Sequence, residues 1–216
     1  MTRLVLVRHG QSQANVEGIF AGARTCTGLS PAGVAQVEAL RDRLVASGEL
    51  ADASVLISSD VPRALATARL VASALGDLEI VADPGWAELD AGAAEGMTWD
   101  ELRAAFGAPD LRGRPAHPLA PGGESWVALR ERVRVAVGRI MSDHEGETVV
   151  VATHAGAVEA VVLDALGLID TSVRIGLRAH NASLTECVEA GGALHLVTFN
   201  DRSHLAAGVA LRDGIH

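Results

Sequence analysis

Two runs of consecutive apolar residues constrain the fold of this chain most strongly. Residues 4–7 read LVLV, and residues 148–153 read TVVVAT. A strand that is apolar at successive positions has both faces buried, whereas a half-exposed strand alternates apolar and polar residues. Helical patterns alternate with such strands along the chain. The sequence therefore predicts a mostly parallel sheet with helices on both faces, a three-layer α/β/α fold.

The spacing of apolar residues and the capping signals place the remaining elements. The predicted strands are residues 4–7, 54–59, 78–82, 148–153, 183–188 and 193–199, with a hairpin turn at 190–192. One predicted helix begins at Pro31, and the others cover residues 61–75, 125–141 and 155–166. We expect residues 1–216 to form one domain. Its lid-like segment covers about residues 96–124, because residues 107–123 are irregular and contain four prolines and four glycines.

Composition excludes several classes of function. The net charge of −9 argues against nucleic acid or an anionic membrane as the main partner, because both attract basic surfaces. No run of apolar residues is long enough to predict a transmembrane helix. All 18 basic residues are arginine, which excludes Schiff-base enzymes and phosphate loops that need lysine.

The two cysteines, Cys26 and Cys187, lie far apart and outside any CxxC pattern. This spacing predicts neither a disulfide framework nor a cysteine-based metal site. We therefore expect a reducing, cytoplasmic location.

Charged residues follow the predicted strands. They are Arg8 and His9 after the first strand, Asp60 and Arg63 after the second, Glu88, Asp90 and Glu95 after the third, and His154 after the next long strand. Because the carboxyl ends of parallel strands meet at one edge of a sheet, we expect two histidines, two arginines and a carboxylate to converge there.

These residue types together suit phosphoryl transfer. Guanidinium groups bind phosphoryl oxygens through paired hydrogen bonds, and a neutral imidazole nitrogen attacks phosphorus in line. A carboxylic acid protonates the leaving alcohol, and Gly10 is expected to let the backbone approach the phosphate closely. The residues alone do not choose between Glu88 and Asp90 as this acid. Arginine supplies the positive charge, so we expect neither a metal nor another cofactor.

Eight segments in order resemble the histidine phosphatase superfamily, in its phosphoglycerate-mutase-like branch. They are LVLVRHGQSQAN, TGLSPAGVAQVEAL, SSDVPRALATA, ELDAGAAEG, PGGES, VVVATHAG, NASLTEC and FNDRSHL. The resemblance implies that His9 is the nucleophile that becomes phosphohistidine and that Glu88 is the proton donor. It also implies a set of phosphate contacts, namely Arg8, Asn15, Arg63 and His154.

The chain departs from the family pattern in three places. Ala155 replaces the glycine expected after His154, and Ala94 replaces an aromatic residue. Residues 22–28 read GARTCTG in a stretch that we expect to border the substrate.

Three functions fit the resemblance. The first is a phosphatase acting on a small phosphomonoester, and the second is a cofactor-dependent phosphoglycerate mutase. The third is a non-catalytic phosphate-binding protein. We expect a small phosphorylated substrate, and exposed edge strands permit a homodimer. In the lid, Arg112, Arg114 or His117 is expected to read a second polar group on the substrate.

Overall fold

The computed structural model describes residues 1–111, 113–168 and 176–205. The strands are β1 (Arg3–Arg8), β2 (Ala53–Ser58), β3 (Ile80–Ala82), β4 (Thr148–Thr153), β5 (Leu184–Ala190) and β6 (Ala193–Asp201). The α-helices of this part are α1 (Gln13–Glu17), α2 (Pro31–Ser47), α3 (Pro62–Ala72), α4 (Trp99–Phe106), α5 (Trp126–Asp143) and α6 (Ala155–Ala165). Short 3-10 helices lie at Ser73–Leu75, Pro84–Trp86 and Gly92–Ala94.

The strands form a six-stranded sheet in the order β3-β2-β4-β1-β5-β6. Strands β1 to β4 run parallel to their neighbours among these four, and β5 and β6 complete the sheet as antiparallel strands. The register between β1 and β4 pairs Arg8 with Thr153. This pairing places the next residues of the two strands, His9 and His154, side by side at one edge of the sheet.

Both faces of the central strands β1 and β4 are buried, as predicted. Along β1, Leu4 and Leu6 pack into a cluster with residues of α5 and α6, whereas Val5 and Val7 pack into a second cluster with residues of α2 and α3. The valines of β4 are fully buried. Burial of one such side chain stabilises the fold by about 1.5–3 kcal/mol, so helices on both faces are strongly favoured. The predicted three-layer α/β/α fold is confirmed.

The predicted strands and helices are all present, with ends that differ by a few residues. Strand β3 is shorter than predicted and begins at Ile80. Helices α1 and α4 were not predicted. Helix α1 has five residues, too few to display a helical period, and α4 lies inside the segment interpreted as a lid.

The lid-like segment has a small core of its own. Leu102 of α4 packs with Leu119, Ala120 and the helical turn at Ala91 and Ala94. Buried apolar contacts therefore fix part of residues 96–124 against the rest of the chain. Ala94 is fully buried in this core, where an aromatic ring in its place would need more room.

No helix in the described ranges is long and apolar enough to cross a membrane. Those ranges also contain no group of three or more His, Cys, Asp or Glu side chains placed to hold a metal ion. Cys26 and Cys187 are both free thiols.

Candidate active site

The sheet topology brings the predicted residues to one cavity. Arg8 ends β1 and His9 follows it, Arg63 lies in the first turn of α3 after β2, and Glu88 follows the helical turn after β3. These four side chains and Asn15 line a cavity of about 750 Å³. Five of the six site residues predicted from sequence therefore share one cavity.

His9 is held in one tautomer. Its Nδ1 lies 2.7 Å from the carbonyl oxygen of Gly10, and a carbonyl only accepts, so Nδ1 carries the proton. The other nitrogen, Nε2, accepts a hydrogen bond from the Arg63 Nε–H at 3.0 Å. Nε2 therefore presents a lone pair, as a nucleophile must.

The surroundings keep His9 uncharged. Burial lowers the pKa of His9 well below its ordinary value, and the nearby positive charges of Arg63 and Arg8 lower it further. The hydrogen bond to the Gly10 carbonyl opposes this shift without reversing it. Because a protonated imidazole has no lone pair at Nε2, the depressed pKa keeps the nucleophile available at neutral pH.

His154 lies behind His9 and outside the cavity wall. Its ring centroid is 5.1 Å from that of His9, at an interplanar angle of 62°. Its Nε2 lies 2.9 Å from the Ser59 hydroxyl, and the side chain is fully buried. Burial, followed by the charge of Arg63, lowers the pKa of His154 well below its ordinary value. In this arrangement His154 packs against the nucleophile as a neutral ring.

Backbone carbonyls aim the two arginines at His9. Arg8 donates from one terminal nitrogen to the carbonyl of Ala179 at 2.5 Å, and Arg63 donates to the carbonyl of Ala21 at 2.7 Å. Both side chains are buried at the base of the cavity. Fixed guanidinium groups of this kind suit the binding of phosphoryl oxygens.

Asn15 is oriented by the start of α1. Its side-chain oxygen accepts from the Ser12 N–H at 3.1 Å, while the Ser12 hydroxyl accepts from the Asn15 N–H, which forms a capping box. Asn181, which we did not predict, donates to the His9 carbonyl at 3.0 Å. The NASLTEC segment, which begins at Asn181, was the signal available in the sequence.

Gly10 is required by helix packing. A Cβ at this position would lie 2.5 Å from the Gly33 carbonyl oxygen and 2.7 Å from the Val37 side chain, both on α2. The structure thus explains Gly10 by the close packing of the turn after β1 against α2. The approach of this backbone to phosphate stays a prediction.

Glu88 is positioned by the start of α6. Its Oε2 accepts from the Gly156 N–H at 3.3 Å, and its Oε1 accepts from the Leu89 N–H at 2.9 Å. A Cβ on Gly156 would lie 2.3 Å from Oε1, so any larger residue there would displace the Glu88 carboxylate. Ala155, the departure from the family pattern, lies in the cavity wall next to this glycine.

Asp90, which the residues alone left open beside Glu88, lies outside the cavity wall, as do three further carboxylates that could be mistaken for the acid. Asp90 is exposed and accepts from the Gly92 N–H, and Asp60 is also exposed. Asp164 pairs with Arg130, and Glu95 pairs with Arg24. Geometry thus distinguishes Glu88 from these four, which the residues alone did not.

Arg132 of α5 holds the loop that carries Glu88. Its guanidinium donates to the carbonyls of Gly85 and Ala87, each at 3.0 Å, and pairs with Glu124 at 2.7 Å. Arg132 also donates a hydrogen bond to the Glu88 carbonyl at 3.4 Å. Sequence reasoning missed Arg132, although Glu124 belongs to the PGGES segment.

Residues 22–28 do not line the cavity, contrary to expectation, although the adjacent Ala21 does. Glu95 binds this stretch, because its carboxylate accepts from the Arg24 and Thr25 backbone N–H groups at 3.0 and 3.1 Å. Burial raises the pKa of Glu95, but the hydrogen bonds from Arg24 and Thr25 outweigh burial and lower that pKa overall. The charged Glu95 therefore anchors the chain next to the Ala21 carbonyl that aims Arg63.

The lid borders the cavity through Trp99, Pro109, Asp110, Leu111 and Leu119. Arg114 and His117 are absent from the wall and lie 3.4 Å apart on the exposed side of the segment. Arg112 lies outside the described residues. The predicted reading of a second polar group by Arg114 or His117 therefore has no support in the geometry.

A model of the histidine phosphatase superfamily, branch 1, matches residues 4–202. The chain belongs to the histidine phosphatase superfamily. Phosphatases and phosphoglycerate mutases are both found among its relatives.

Three curated relatives illustrate the range of the family. This chain is 37% identical over 168 residues to the bifunctional protein Rv2228c of Mycobacterium tuberculosis, a match covering 76% of this chain and 44% of that one. The chain thus spans less than half the length of that relative. This chain is 34% identical to a 2,3-bisphosphoglycerate-dependent phosphoglycerate mutase of Brucella anthropi, and the match covers 76% of this chain and 82% of the mutase. It is 31% identical to a metal-independent phosphoserine phosphatase of Arabidopsis thaliana, covering 76% and 68%.

Solved structures share the fold along nearly the whole chain. The chain superposes on Bacillus stearothermophilus YhfR with a TM-score of 0.80 at 28% identity, covering 94% of this chain and 99% of that one. It superposes on the mycobacterial glucosyl-3-phosphoglycerate phosphatase Rv2419c with a TM-score of 0.75 at 26% identity, covering 92% and 98%.

Proposed function

We propose that this protein hydrolyses a small phosphomonoester through a phosphohistidine formed on His9. The observation that carries the proposal is the environment of the His9 ring. Its proton is held on Nδ1 by the Gly10 carbonyl, and its Nε2 lone pair faces the guanidinium of Arg63 at the base of a cavity. A neutral imidazole beside fixed cations is equipped to attack an anionic phosphoryl group.

In the first step, a phosphoryl oxygen accepts a hydrogen bond from the Arg63 N–H, which donates to His9 Nε2 in the absence of substrate. Arg8 and Arg63 hold its oxygens, and the Asn15 side chain adds a further contact. The Nε2 lone pair forms the N–P bond as the P–O bond to the alcohol breaks. Glu88, protonated at this stage, gives its proton to the departing oxygen.

In the second step, water replaces the alcohol. Glu88, now a carboxylate, takes a proton from the water as the oxygen attacks phosphorus and the N–P bond breaks. Phosphate leaves, His9 regains its lone pair, and Glu88 is again protonated. His154 packs against the His9 ring and holds it in place from outside the cavity. Arginine supplies the positive charge throughout, so we propose a metal-independent reaction without a cofactor.

A mutase would return the phosphoryl group to a second oxygen of a bound phosphoglycerate. Such a substrate carries additional negative charge, which cationic side chains near the cavity would bind. The described lid residues in the wall are a tryptophan, two leucines, a proline and the acidic Asp110, none of which is cationic. This lining favours hydrolysis over mutase activity, and the complete set of reactive side chains argues against a non-catalytic phosphate-binding protein.

The test measures p-nitrophenyl phosphate hydrolysis by the full chain in the presence of a metal chelator. The proposal expects turnover that His9→Ala abolishes and that His195→Ala, a control on exposed β6, leaves intact. A parallel assay supplies 3-phosphoglycerate with 2,3-bisphosphoglycerate as primer. Isomerisation faster than phosphate release would establish the mutase instead, and the absence of His9-dependent turnover would favour the binding protein.

We further propose that residues 1–216 act as one phosphatase domain in the cytoplasm, with a small phosphorylated molecule as the substrate. The free thiols of Cys26 and Cys187 support a reducing compartment. A homodimer stays a prediction, to be measured as the solution mass.

A further inference from the structure

The cavity above His9 is large compared with a phosphoryl group. Its volume of about 750 Å³ falls within the ~300–1,000 Å³ typical of pockets that enclose drug-sized ligands. The phosphate-binding residues occupy its base. The rest of its wall therefore surrounds the alcohol part of a substrate.

Aromatic side chains are concentrated in this wall. The whole chain has three tryptophans, three phenylalanines and no tyrosine. Half of these six rings, those of Phe20, Trp99 and Trp126, line the cavity. Phe20 and Trp99 meet edge to face, with ring centroids 4.7 Å apart, so two of the rings form one continuous surface.

Aliphatic side chains fill the space between the rings. They come from the loop after Glu88, the lid, α6 and the segment before β5, and they include Leu89, Leu111, Leu119, Leu163 and Leu177. Such a surface gains free energy by burying apolar area of a ligand.

The charged side chains of the upper wall balance in number. Asp110 and Glu159 are acidic, and Arg130 and Arg178 are basic. Arg130 is in addition committed to Asp164 and to the Leu168 carbonyl. Among the described residues, the wall above the phosphate site thus offers no net positive charge to a second anionic group.

We propose that the preferred substrates are phosphomonoesters of alcohols that carry a large, uncharged apolar group such as an aromatic ring. This inference rests on the proposed function, because it concerns the alcohol released at that same site. The ring of the alcohol packs against Phe20, Trp99 and Trp126 while the phosphoryl group reaches His9.

The test compares esters of alkyl alcohols, whose leaving groups are similar, in the presence of a metal chelator. Benzyl phosphate and 2-naphthylmethyl phosphate are the apolar probes. Glycerol 3-phosphate has a small, uncharged alcohol part. In 3-phosphoglycerate and phosphoserine, here called the anionic esters, the alcohol part carries a carboxylate. We expect kcat/KM for the apolar esters to exceed that for the anionic esters by about tenfold or more. An anionic ester that equals or surpasses them overturns the proposal.

Variants of residues that line the cavity test whether the cavity wall causes the preference for apolar esters. Trp126→Ala should lower kcat/KM for 2-naphthylmethyl phosphate by about tenfold while changing that for glycerol 3-phosphate much less. Phe106→Ala, on the exposed side of α4, is the matched control and should change neither. Equal losses on both esters contradict the assignment, and Trp126→Phe repeats the comparison if the alanine variant does not fold.

The outcomes separate the two proposals. If His9-dependent p-nitrophenyl phosphate hydrolysis is present and the anionic esters are preferred, the phosphatase stands and the apolar substrate class is wrong. If no ester is hydrolysed in a His9-dependent manner, both proposals are wrong.

Discussion

The Arg63 guanidinium donates its Nε–H to Nε2 of His9 at 3.0 Å, and so covers the atom that we propose attacks phosphorus. One residue thereby does two things. It binds the lone pair of the neutral imidazole, and in the proposed reaction it also binds a phosphoryl oxygen. The Ala21 carbonyl fixes the orientation of this guanidinium from the far side.

Replacement of Arg63 tests this relationship. Arg63→Ala removes a fixed donor to the transition state, so we expect kcat/KM to fall by about 10²–10³-fold. Arg63→Lys should recover only part of this loss, because lysine keeps the charge without the planar fork. Arg69→Ala, on the exposed side of the same helix, is the control. A steady-state assay in which Arg63→Ala and Arg69→Ala behave alike would refute the role.

The depressed pKa of His9 predicts the pH dependence. Attack requires neutral His9, so kcat/KM should decline only as the pH falls through the lowered pKa, below 6.5. Arg63→Gln removes a positive charge that lowers this pKa, so the acid limb of its profile should move to higher pH. Profiles of kcat/KM against pH for the two proteins provide the measurement. The account would be contradicted if the acid limb of the kcat/KM profile had the same midpoint pH in both proteins, or if the wild-type midpoint lay above pH 6.5.

Gly156 provides a test of Glu88 without changing the carboxylate. In Gly156→Ala the new Cβ would lie 2.3 Å from the Glu88 Oε1, so the carboxylate must move. Activity should fall by about 10²-fold or more on esters with poor leaving groups, where the proton donor matters most. The loss should be smaller on p-nitrophenyl phosphate.

Gly138→Ala is the matched control for that substitution. Gly138 lies on α5, and a Cβ there would meet nothing within 4 Å. This variant should keep full activity and gain about 0.5–1 kcal/mol of stability, as alanine favours a helix interior. If both glycine variants lose activity equally, the effect is not one of Glu88 position.

Arg132 should act as a positioning residue. Arg132→Ala removes the donors to the Gly85 and Ala87 carbonyls and leaves Glu124 without its partner. We expect kcat to fall more than KM changes, and the deficit to grow as the leaving group becomes more basic, because the Glu88 loop is displaced. Arg134→Ala on the same helix removes an exposed pair with Glu131 and should have no effect. A deficit independent of the leaving group would point to a merely structural role.

The fold was largely predictable because its signals are local. A strand buried on both faces, such as β4, must be apolar at successive positions, and that pattern is visible in the sequence. The convergence of Arg8, His9, Arg63 and a carboxylate followed from the rule that parallel strands end at one edge of a sheet. The choice of Glu88 as that carboxylate rested on the resemblance.

The supporting contacts were not predictable because their partners are backbone groups distant in sequence. Arg132 resembles an ordinary helix arginine until the carbonyls of residues 84–88 are placed beside it. Gly10 likewise reads as a phosphate-loop glycine until α2 is packed against it. The position of His154 after β4 predicted that it would lie near the site. The sequence did not show that its side chain would be buried between Ser59 and His9.

The most direct measurement is to trap the phosphoenzyme. Glu88→Gln should slow hydrolysis of the adduct, whereas p-nitrophenyl phosphate needs little help from a proton donor to leave. Rapid quenching of this variant and peptide mass spectrometry should find one acid-labile phosphoryl group on His9, absent from Glu88→Gln/His9→Gln. Turnover without a phosphoryl group on His9, or with one on another residue, would contradict the account.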